Sequence, residues 1–471
     1  MTLRLYDTAT REIRDFVPLT KGEVGIYVCG PTVQASPHIG HLRCEVAFDV
    51  LHRWLERQGN RVTMIRNVTD VEDRIFDKSR EAGEKWWAWA TRYEREFARA
   101  YDAVGCRPAA CEPRATGHMT DIVGLVRRLV ERGHAYEKAG SVYFDVQSFP
   151  EYGALTNQAL GDLEPSDDPS DEKKDPRDFA LWKATKDGDP EGASWPSPWG
   201  PGRPGWHIEC SAMATRYLGQ EFDIHGGGLD LRFPHHENEQ AQSRAAGDGF
   251  ARLWMHSAWL TQSGTKMSKS LGNSLLVSEV LARHRAVALR LALVSVHYRS
   301  MLEYTDTTMT DAEATWDRLE GFVRRAGERV GQPGADEVRA AALPPAFVEA
   351  MDDDLSVPRA LVAVHDAVRE GNTALAAGDD KPAAASLLAV RAMLDSLGLD
   401  PESEAWKAEA GSDRVSHALD SLVRRELDDR ERARADQDWA AADAVRDRLA
   451  GAGILIEDSA DGPRWSFSDE G

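Results

Sequence analysis

Hydrophobic residues follow two spacings in the first part of the chain, and these spacings predict a sheet flanked by helices. A β-branched and aromatic run at residues 24–28 predicts a buried strand. Apolar residues then recur at helical spacing from Ile39 to Leu55, and a Gly-Asn pair ends that helix. Residues 61–67 predict the next strand. This strand–helix–strand unit is half of a mononucleotide-binding fold, in which ligands bind at the carboxyl ends of strands.

Further periodic segments extend this pattern. Residues 84–103 and 120–138 predict amphipathic helices, and the aromatic residues of the first are assigned to the core. Residues 148–204 are rich in Asp, Pro, Gly and Ser, which indicates an insertion that is part ordered and part loop. The nucleotide-binding pattern resumes with a helix at 205–217 and a strand at 221–224.

Helical periodicity dominates the rest of the chain. The predicted helices are 275–298, 313–326, 345–355, 357–370, 383–397 and 439–450. A Gly-Gln-Pro-Gly stretch at 331–334 and the segment 402–412 predict connectors. A glycine turn and a strand at 454–456 follow the last helix, so the chain is predicted to end in a small α+β unit.

Together these elements predict an α/β protein with a Rossmann-like catalytic domain, an insertion, a helical bundle and a small α+β C-terminal domain. Its length of 471 residues suits three or four domains. The predicted limits are 1–125 with 205–250 for the Rossmann-like domain, 126–204 for the insertion, 251–315 for a lysine-bearing region, 316–402 for the bundle and 403–471 for the last domain.

The composition is that of a soluble globular protein, with 42% hydrophobic and 29% charged residues. No apolar run reaches the ~20 residues that cross a bilayer, and the N-terminus has no signal-peptide core, so we expect a cytoplasmic protein. We also expect it to be a monomer. The net charge of −21 argues against a general nucleic-acid coat protein. An acidic protein can still carry a local basic face that binds RNA, and the arginines from residue 424 onward are the candidates for it.

A loop rich in Gly and Ser, Gly264-Thr-Lys-Met-Ser-Lys-Ser-Leu-Gly-Asn273, carries Lys266 and Lys269. Such a loop can wrap a polyphosphate, because its backbone N–H groups are free and its ammonium groups are mobile point charges. Two lysines alone are equally typical of a solvated basic loop. A second stretch far upstream favours the phosphate-binding interpretation.

That stretch is Pro37-His-Ile-Gly-His41, at the start of the first predicted helix. Helix N-terminal amides and the helix dipole favour anions. Gly40 leaves room for a ribose or a base, and His38 and His41 can donate hydrogen bonds to phosphate oxygens. Taken alone, two histidines at a helix start are as well explained by capping or by surface exposure.

Other residues follow predicted strands and should face the same crevice. Thr69 comes after the second strand. The stretch His225-Gly-Gly-Gly-Leu-Asp-Leu231 is predicted to form a strand-to-loop turn, in which Gly227 offers a backbone surface for adenosine and Asp230 can bind ribose hydroxyls.

Four residues from distant parts of the sequence suggest a metal site. Cys29 ends the first strand, Cys210 lies on the helix that begins the second half, and His235 and Glu239 share one face of a helix. Two thiolates, an imidazole and a carboxylate suit a tetrahedral zinc ion. His236 is also at a usable spacing from Glu239, so helix geometry does not choose between the two histidines. The remaining cysteines are expected to be small buried hydrophobes, and disulfides are not expected among five cysteines without a secretory context.

The paired histidine and lysine signatures resemble those of class I aminoacyl-tRNA synthetases. Across nearly the whole chain, the sequence resembles the cysteinyl-tRNA synthetase family. The stretches that carry this resemblance, besides the two signatures, are Tyr27-Val-Cys-Gly-Pro-Thr-Val, Asn67-Val-Thr-Asp, Gly205-Trp-His-Ile-Glu-Cys, the glycine triplet, Phe233-Pro-His-His-Glu-Asn-Glu and Ile454-Leu-Ile-Glu-Asp. One departure is Gln34-Ala-Ser36, which replaces an aromatic–acidic pair often found before the histidine signature.

The resemblance implies ATP-dependent attachment of L-cysteine to tRNA(Cys) through a cysteinyl-adenylate, with Mg²⁺ accompanying ATP and one zinc ion selecting the thiolate. It implies zinc ligation by Cys29, Cys210, His235 and Glu239, and a cysteine pocket formed with Thr69 and Trp206. The catalytic residues would be His38, His41, Lys266 and Lys269. The anticodon-reading residues would be Arg434, Trp439, Asp443 and Asp458 in the C-terminal domain.

Three other functions have to be weighed. The cysteine ligase of mycothiol synthesis, which joins cysteine to glucosaminyl-inositol, resembles the catalytic half but lacks the long arginine-bearing C-terminal region. A non-catalytic RNA-binding paralogue would not need the intact lysine, histidine and zinc-ligand positions. A generic metal-dependent nucleotidyltransferase would leave the C-terminal region unexplained.

Overall fold

A computed structural model describes residues 2–162, 170–262, 265–266, 275–459 and 462–467. The chain forms two units, Met1–Pro401 and Glu402–Gly471. In the described residues, no helix has both the length and the apolar character needed to cross a bilayer.

The strands are β1 (Arg4–Asp7), β2 (Glu12–Asp15), β3 (Glu23–Val28), β4 (Arg61–Arg66), β5 (Ala135–Lys138), β6 (Ser141–Phe144), β7 (Phe179–Ala184), β8 (Gly202–Pro204), β9 (Glu221–Gly228), β10 (Phe250–Ser257), β11 (Leu260–Gln262), β12 (Thr265–Lys266), β13 (Leu302–Glu303), β14 (Ile454–Ser459) and β15 (Gly462–Phe467). The α-helices are α1 (Ile39–Arg57), α2 (Asp73–Glu81), α3 (Trp86–Ala103), α4 (Met119–Glu131), α5 (Trp206–Leu218), α6 (Glu237–Ala245), α7 (Val277–Leu281), α8 (Ala286–Val294), α9 (Thr308–Val330), α10 (Ala335–Ala340), α11 (Pro345–Asp352), α12 (Val357–Ala377), α13 (Asp380–Ser396), α14 (Glu404–Ala435) and α15 (Trp439–Gly451).

A parallel sheet with the strand order β10-β9-β3-β4 organises the first unit. Helices α1 and α5 pack against it, and the strands are almost wholly buried. Because all four strands run the same way, their carboxyl ends meet at one edge, where ligands bind in such folds. The predicted Rossmann-like α/β architecture is confirmed.

The segment between β4 and β9 contains a second, antiparallel sheet with the order β5-β6-β7-β8. Here the helix predicted over 120–138 is wrong at its end. Helix α4 stops at Glu131, and Gly133 takes a positive φ of 82° that a helix cannot continue through. Residues Ala135–Lys138 then pair with β6 in a hairpin. The predicted limits of the insertion, and those of the other domains, stay predictions.

The glycine triplet is also placed differently from its prediction. Strand β9 runs through Gly226 and Gly227 to Gly228, so the triplet belongs to the strand and the turn starts after it. A Cβ on Gly226 would lie 2.2 Å from the Met255 carbonyl oxygen of β10. Glycine therefore lets the buried sheet close tightly at this point.

The helical part differs from its prediction in two places. The segment predicted as one helix over 275–298 forms α7 and α8, separated by a break at residues 282–285. The connector predicted at 402–412 is wrong, because α14 begins at Glu404 and continues for 32 residues. Its charged residues resemble a linker in composition, but Ala, Glu, Lys and Arg are strong helix formers. In the second unit, α14 and α15 pack with β14 around Val423, Leu427, Val445, Leu449 and Ile454.

Helix α1 is fixed to the rest of the first unit by a buried ion pair. Arg290 of α8 is fully buried and donates to the Asp49 carboxylate of α1. The same guanidinium donates to the Val104 and Leu397 carbonyl oxygens, each at 3.0 Å. Burial raises the pKa of Asp49, but Arg290 and Arg53 outweigh it and hold that pKa below its usual value.

Replacing Arg290 by Met should lower the free energy of unfolding by about 3 kcal/mol or more, because Asp49 would lose a fully buried partner. The matched control is Arg369→Met, since Arg369 forms an exposed pair with Asp366. We expect that control to change stability by less than about 1 kcal/mol. Urea unfolding followed by circular dichroism measures both, and equal losses would contradict a special role for Arg290.

Candidate metal and nucleotide site

The carboxyl edge of the parallel sheet is closed by backbone hydrogen bonds. Cys29 follows β3 and its N–H donates to the Gly226 carbonyl oxygen at 2.9 Å. The Gly30 N–H donates to Asn67 Oδ1 at 2.9 Å. A Cβ on Gly30 would lie only 1.7 Å from the Asn67 carbonyl oxygen. The ends of β3, β4 and β9 are thus held in one fixed arrangement.

The four predicted zinc ligands meet beside this edge. Cys29, Cys210, His235 and Glu239 are all buried, and one ligand atom of each lies within 4.8 Å of the others. Cys29 Sγ donates to Glu239 Oε1 at 3.1 Å. His235 Nε2 lies 3.2 Å from the same oxygen. Side chains from a strand end, from α5, from the turn before α6 and from α6 itself therefore converge as the sequence predicts.

A second set of donors overlaps the first. Cys29, His225, His236 and Glu239 also place one ligand atom each within 4.8 Å of one another. His225 Nε2 lies 3.2 Å from Glu239 Oε2, and His236 Nε2 lies 3.9 Å from Glu239 Oε1. The structure brings both His235 and His236 to the cluster, so the choice between them remains open.

Additional histidines form an array behind the cluster. The Nδ1 atoms of His207 and His235 are 2.9 Å apart. On the other side, His236 Nδ1 lies 2.8 Å from His256 Nε2, and His256 Nδ1 lies 2.8 Å from the Thr8 hydroxyl. The sequence analysis did not assign His207, His225 or His256 to the site. A signal was present, since His225 and His256 lie in the carboxyl-terminal halves of two adjacent parallel strands.

Burial sets the protonation of these groups. Desolvation lowers the pKa of His235 and His236 well below the usual value, and it lowers that of His207 and His256 to about 3. Neutral imidazole is the form of histidine that binds metals.

The sulphur and carboxylate donors also fit a metal ion. Burial, followed by the neighbouring Cys210, raises the pKa of the Cys29 thiol well above its usual value. Burial also raises the pKa of the Cys210 thiol. The Nε2 atom of His236 is buried, with no hydrogen-bond partner among the described residues. A dry cluster of thiols, imidazoles and a carboxylate matches the ligands preferred by zinc.

The two residues predicted to contact the amino acid lie beside this cluster. The ring of Trp206 lies 4.3 Å from that of His235, measured between centroids. Thr69 is buried, and its N–H donates to the Pro31 carbonyl oxygen at 3.2 Å, while its own carbonyl oxygen accepts from Val33. Thr69 is thereby tied to the loop that carries Cys29.

The two stretches predicted to bind ATP are joined through their backbones. The Ile39 N–H donates to the Leu275 carbonyl oxygen at 3.0 Å, and the Val277 N–H donates to the Pro37 carbonyl oxygen at 3.1 Å. The start of α1 is therefore paired with the segment that directly follows the lysine loop. Lys266 lies in β12, opposite Thr261. Lys269 lies outside the described residues.

The remaining predicted ATP residues occupy the same edge. The rings of His38 and His41 are stacked at 3.7 Å, and His41 Nδ1 accepts from the His38 N–H, which caps α1. Gly40 is in the first turn of α1. Gly227 pairs with His256 across β9 and β10, and Asp230 is in the turn after β9.

Gln34, where the sequence departs from the family pattern, is held in place by two hydrogen bonds. Its Oε1 accepts from Lys78 Nζ at 2.9 Å, and its carbonyl oxygen accepts from Trp89 Nε1 at 3.0 Å. Helices α2 and α3 therefore hold the loop before the histidine signature.

The aromatic residues of α3, which were predicted to belong to the core, do so only in part, because Trp87 is 57% exposed.

The predicted anticodon residues all lie in the second unit. Arg434 is exposed near the end of α14, and Trp439 begins α15 with 60% of its surface exposed. Asp443 forms an exposed pair with Arg446, and Asp458 is in β14 opposite Pro463. An exposed tryptophan is suited to stacking on a base, but the role of these residues stays a prediction.

Comparison with known proteins now identifies the family. Residues 15–314 match the family described as tRNA synthetases class I (C) catalytic domain, and residues 346–399 match the DALR domain. The chain is 60% identical to a cysteine–tRNA ligase of Beutenbergia cavernae, over 99% of both chains. It is 57% identical to a cysteine–tRNA ligase of Streptomyces avermitilis over the same shares.

The chain belongs to the cysteine–tRNA ligase family. It is thus an enzyme, a class I aminoacyl-tRNA synthetase. The fold is similar to that of a methionyl-tRNA synthetase of Mycobacterium tuberculosis solved with methionyl-adenylate, with a TM-score of 0.59 and 17% identity over 82% of this chain and 92% of that one. The low identity makes this a likeness of fold alone.

Gly30→Ala should strongly reduce both stability and ATP–pyrophosphate exchange in this cysteine–tRNA ligase family member, because its Cβ would collide with the Asn67 carbonyl group. The control is Gly124→Ala in α4, where a Cβ meets nothing within 4 Å. We expect that control to gain about 0.5–1 kcal/mol and to keep its exchange rate. A fully active Gly30→Ala enzyme would show that the strand ends are not fixed as described.

Proposed function

We propose that this protein attaches L-cysteine to tRNA(Cys), first forming cysteinyl-adenylate from ATP and then transferring cysteine to the terminal ribose of the tRNA. The observation that carries this proposal is a buried sulphur-containing donor cluster at the same sheet edge as the histidine signature. Relatives named cysteine–tRNA ligase, aligned over almost the entire chain, support it.

The residues that would hold zinc are Cys29, Cys210, His235 and Glu239, with His236 as the alternative histidine. A bound Zn²⁺ supplies a soft Lewis acid, to which a cysteine thiolate bonds more strongly than a serine hydroxyl. The shape of the pocket alone would discriminate poorly between cysteine and serine, since a change of one atom in a ligand is worth only about 1–3 kcal/mol of binding free energy. Selection by sulphur chemistry would make an editing site unnecessary.

Adenylation needs positioning and charge rather than a protein nucleophile. The cysteine carboxylate attacks the α-phosphorus of ATP in line, and pyrophosphate leaves with the P–O bond electrons. His38 and His41 at the N-terminus of α1 stabilise the charge growing on the phosphate oxygens. Lys266 and Lys269 neutralise the departing pyrophosphate together with Mg²⁺. The backbone pairing of Ile39 with Leu275 would keep these groups in register.

The adenosine and cysteine moieties would be held by the neighbouring residues. Gly227 offers its backbone to the adenosine, and Asp230 accepts from the ribose hydroxyls. Trp206 and Thr69 form the walls of the cysteine pocket, where the Trp206 ring also covers His235 and keeps water from the cluster.

Recognition of the tRNA is proposed for the second unit. Arg434, Trp439, Asp443 and Asp458 would read the anticodon by stacking and by hydrogen bonds to base edges. The mycothiol cysteine ligase remains the alternative, but its likeness to this chain stops before this region. The full-length match to cysteine–tRNA ligases includes it.

The purified full-length protein should charge tRNA(Cys) with labelled cysteine when ATP and Mg²⁺ are present, and should not ligate cysteine to glucosaminyl-inositol. Serine should drive ATP–pyrophosphate exchange more than about 200-fold less efficiently than cysteine, because that factor is the limit of selection by shape. Comparable exchange with the two amino acids would refute selection by sulphur chemistry. Ligation to the sugar without tRNA charging would favour the alternative function.

Cys210→Ser should lose most of the bound zinc, because the cluster would lack one of its two sulphur donors. Cys106→Ser is the matched control, since Cys106 is equally buried but does not belong to the donor cluster. Zinc per chain, measured by mass spectrometry of the purified proteins, distinguishes the two variants. Equal zinc content in both would exclude Cys210 as a ligand.

A further inference from the structure

A buried carboxylate lies on the helix that supplies two of the site residues. Glu209 is in α5, three residues after Trp206 and directly before Cys210, so all three are on one side of the helix. Glu209 is 0% exposed. It lies close to Thr69, whose hydroxyl can donate a hydrogen bond to the carboxylate. Glu209 is therefore beside both residues proposed to form the walls of the cysteine pocket.

Two neighbouring carboxylates, those of Asp70 and Glu72, accept hydrogen bonds from nearby backbone N–H groups, whereas that of Glu209 accepts none from the residues that the structure describes. Asp70 accepts from the Thr116 N–H at 3.0 Å and also from the Thr116 hydroxyl. Glu72 accepts from the Arg74 N–H at 2.7 Å and caps α2. Within the described ranges, neither oxygen of Glu209 receives a backbone N–H. Of the three carboxylates, Glu209 is the one whose oxygens remain available to a ligand.

The electrostatic surroundings of Glu209 favour the arrival of a cation. The carboxylates of Asp70 and Glu72 lie close enough to Glu209 to interact with it electrostatically, so negative charge is concentrated in this buried region. The ammonium group of Lys183 is also near, but it is bonded to Asp73 Oδ2 at 2.9 Å. A buried carboxylate without a dedicated cation is costly, and a positively charged group of a substrate would relieve that cost.

We propose that Glu209 binds the α-ammonium group of the amino-acid substrate. This inference deepens the proposed function and rests on it. With the substrate thiol at the donor cluster that includes Cys210, the adjacent Glu209 faces the other end of the small molecule, next to Thr69. Glu209 would thus require that a thiol ligand also carry a positive charge, and simple thiols would be bound less well.

The test compares two thiols on the full-length protein loaded with Co²⁺, whose visible absorption reports a bound thiolate. The probes are L-cysteine and 3-mercaptopropionate, which has the same thiol and carboxylate but no ammonium group. Glu209→Gln should weaken cysteine binding about 10- to 100-fold, the usual worth of a charge-assisted hydrogen bond. It should leave 3-mercaptopropionate binding unchanged or stronger. The control Glu84→Gln, at a carboxylate that forms an exposed pair with Arg92, should leave both dissociation constants unchanged.

Each other outcome counts against the inference. Equal weakening of both thiols by Glu209→Gln would indicate a structural role, and no weakening of either would exclude contact with the ammonium group. If neither thiol changes the wild-type spectrum, the proposed selection at the metal fails, and this inference fails with it. Should Glu209→Gln not fold or not bind Co²⁺, Glu209→Asp replaces it. An unchanged preference for cysteine over 3-mercaptopropionate in Glu209→Asp would then overturn the inference.

Discussion

The crowding of donor groups in a dry space is the constraint on which the rest of this structure depends. Two thiols, several imidazoles and the Glu239 carboxylate approach one another within hydrogen-bonding distances, and burial keeps the thiols and imidazoles neutral. Such a cluster is costly unless a cation or a proton network satisfies it. The parallel sheet supplies a fixed edge that holds these groups together, because its strand ends are locked by backbone hydrogen bonds around Gly30 and Gly226.

Helix α1 connects this edge to the histidine and lysine signatures. Its first turn is paired with the segment after the lysine loop, and its later turns are anchored by buried charges. Arg43 donates to four carbonyl oxygens at the end of α8 and in the turn that follows it, those of Leu293, Val296, His297 and Ser300. Burial lowers the pKa of Arg43 to about 10, so the guanidinium stays charged at neutral pH. A cation at a helix C-terminus also complements the helix dipole.

Local sequence was sufficient where one interaction decides the structure. The strands at 24–28 and 61–67, the helix from Ile39 and the convergence of the four residues predicted to bind zinc follow from periodicity, from helix geometry and from the resemblance. It was insufficient where distant packing decides. The end of α4 depends on a hairpin partner, and the strand character of the glycine triplet depends on the Met255 backbone. The helix over 402–412 is a different case, because there the local helix propensity outweighs a linker-like composition.

The sequence by itself determined the α/β architecture and supplied the two signatures and the candidate donor residues, because these depend on residue spacing and residue type. Only the tertiary structure decided which other residues lie beside these donor residues. The histidines at 207, 225 and 256 and the carboxylate of Glu209 are ordinary residues in the sequence, and they reach the site because separate strands and helices end at the same edge. Burial lowers the pKa of His207 and His256, and that burial depends on the whole chain being folded.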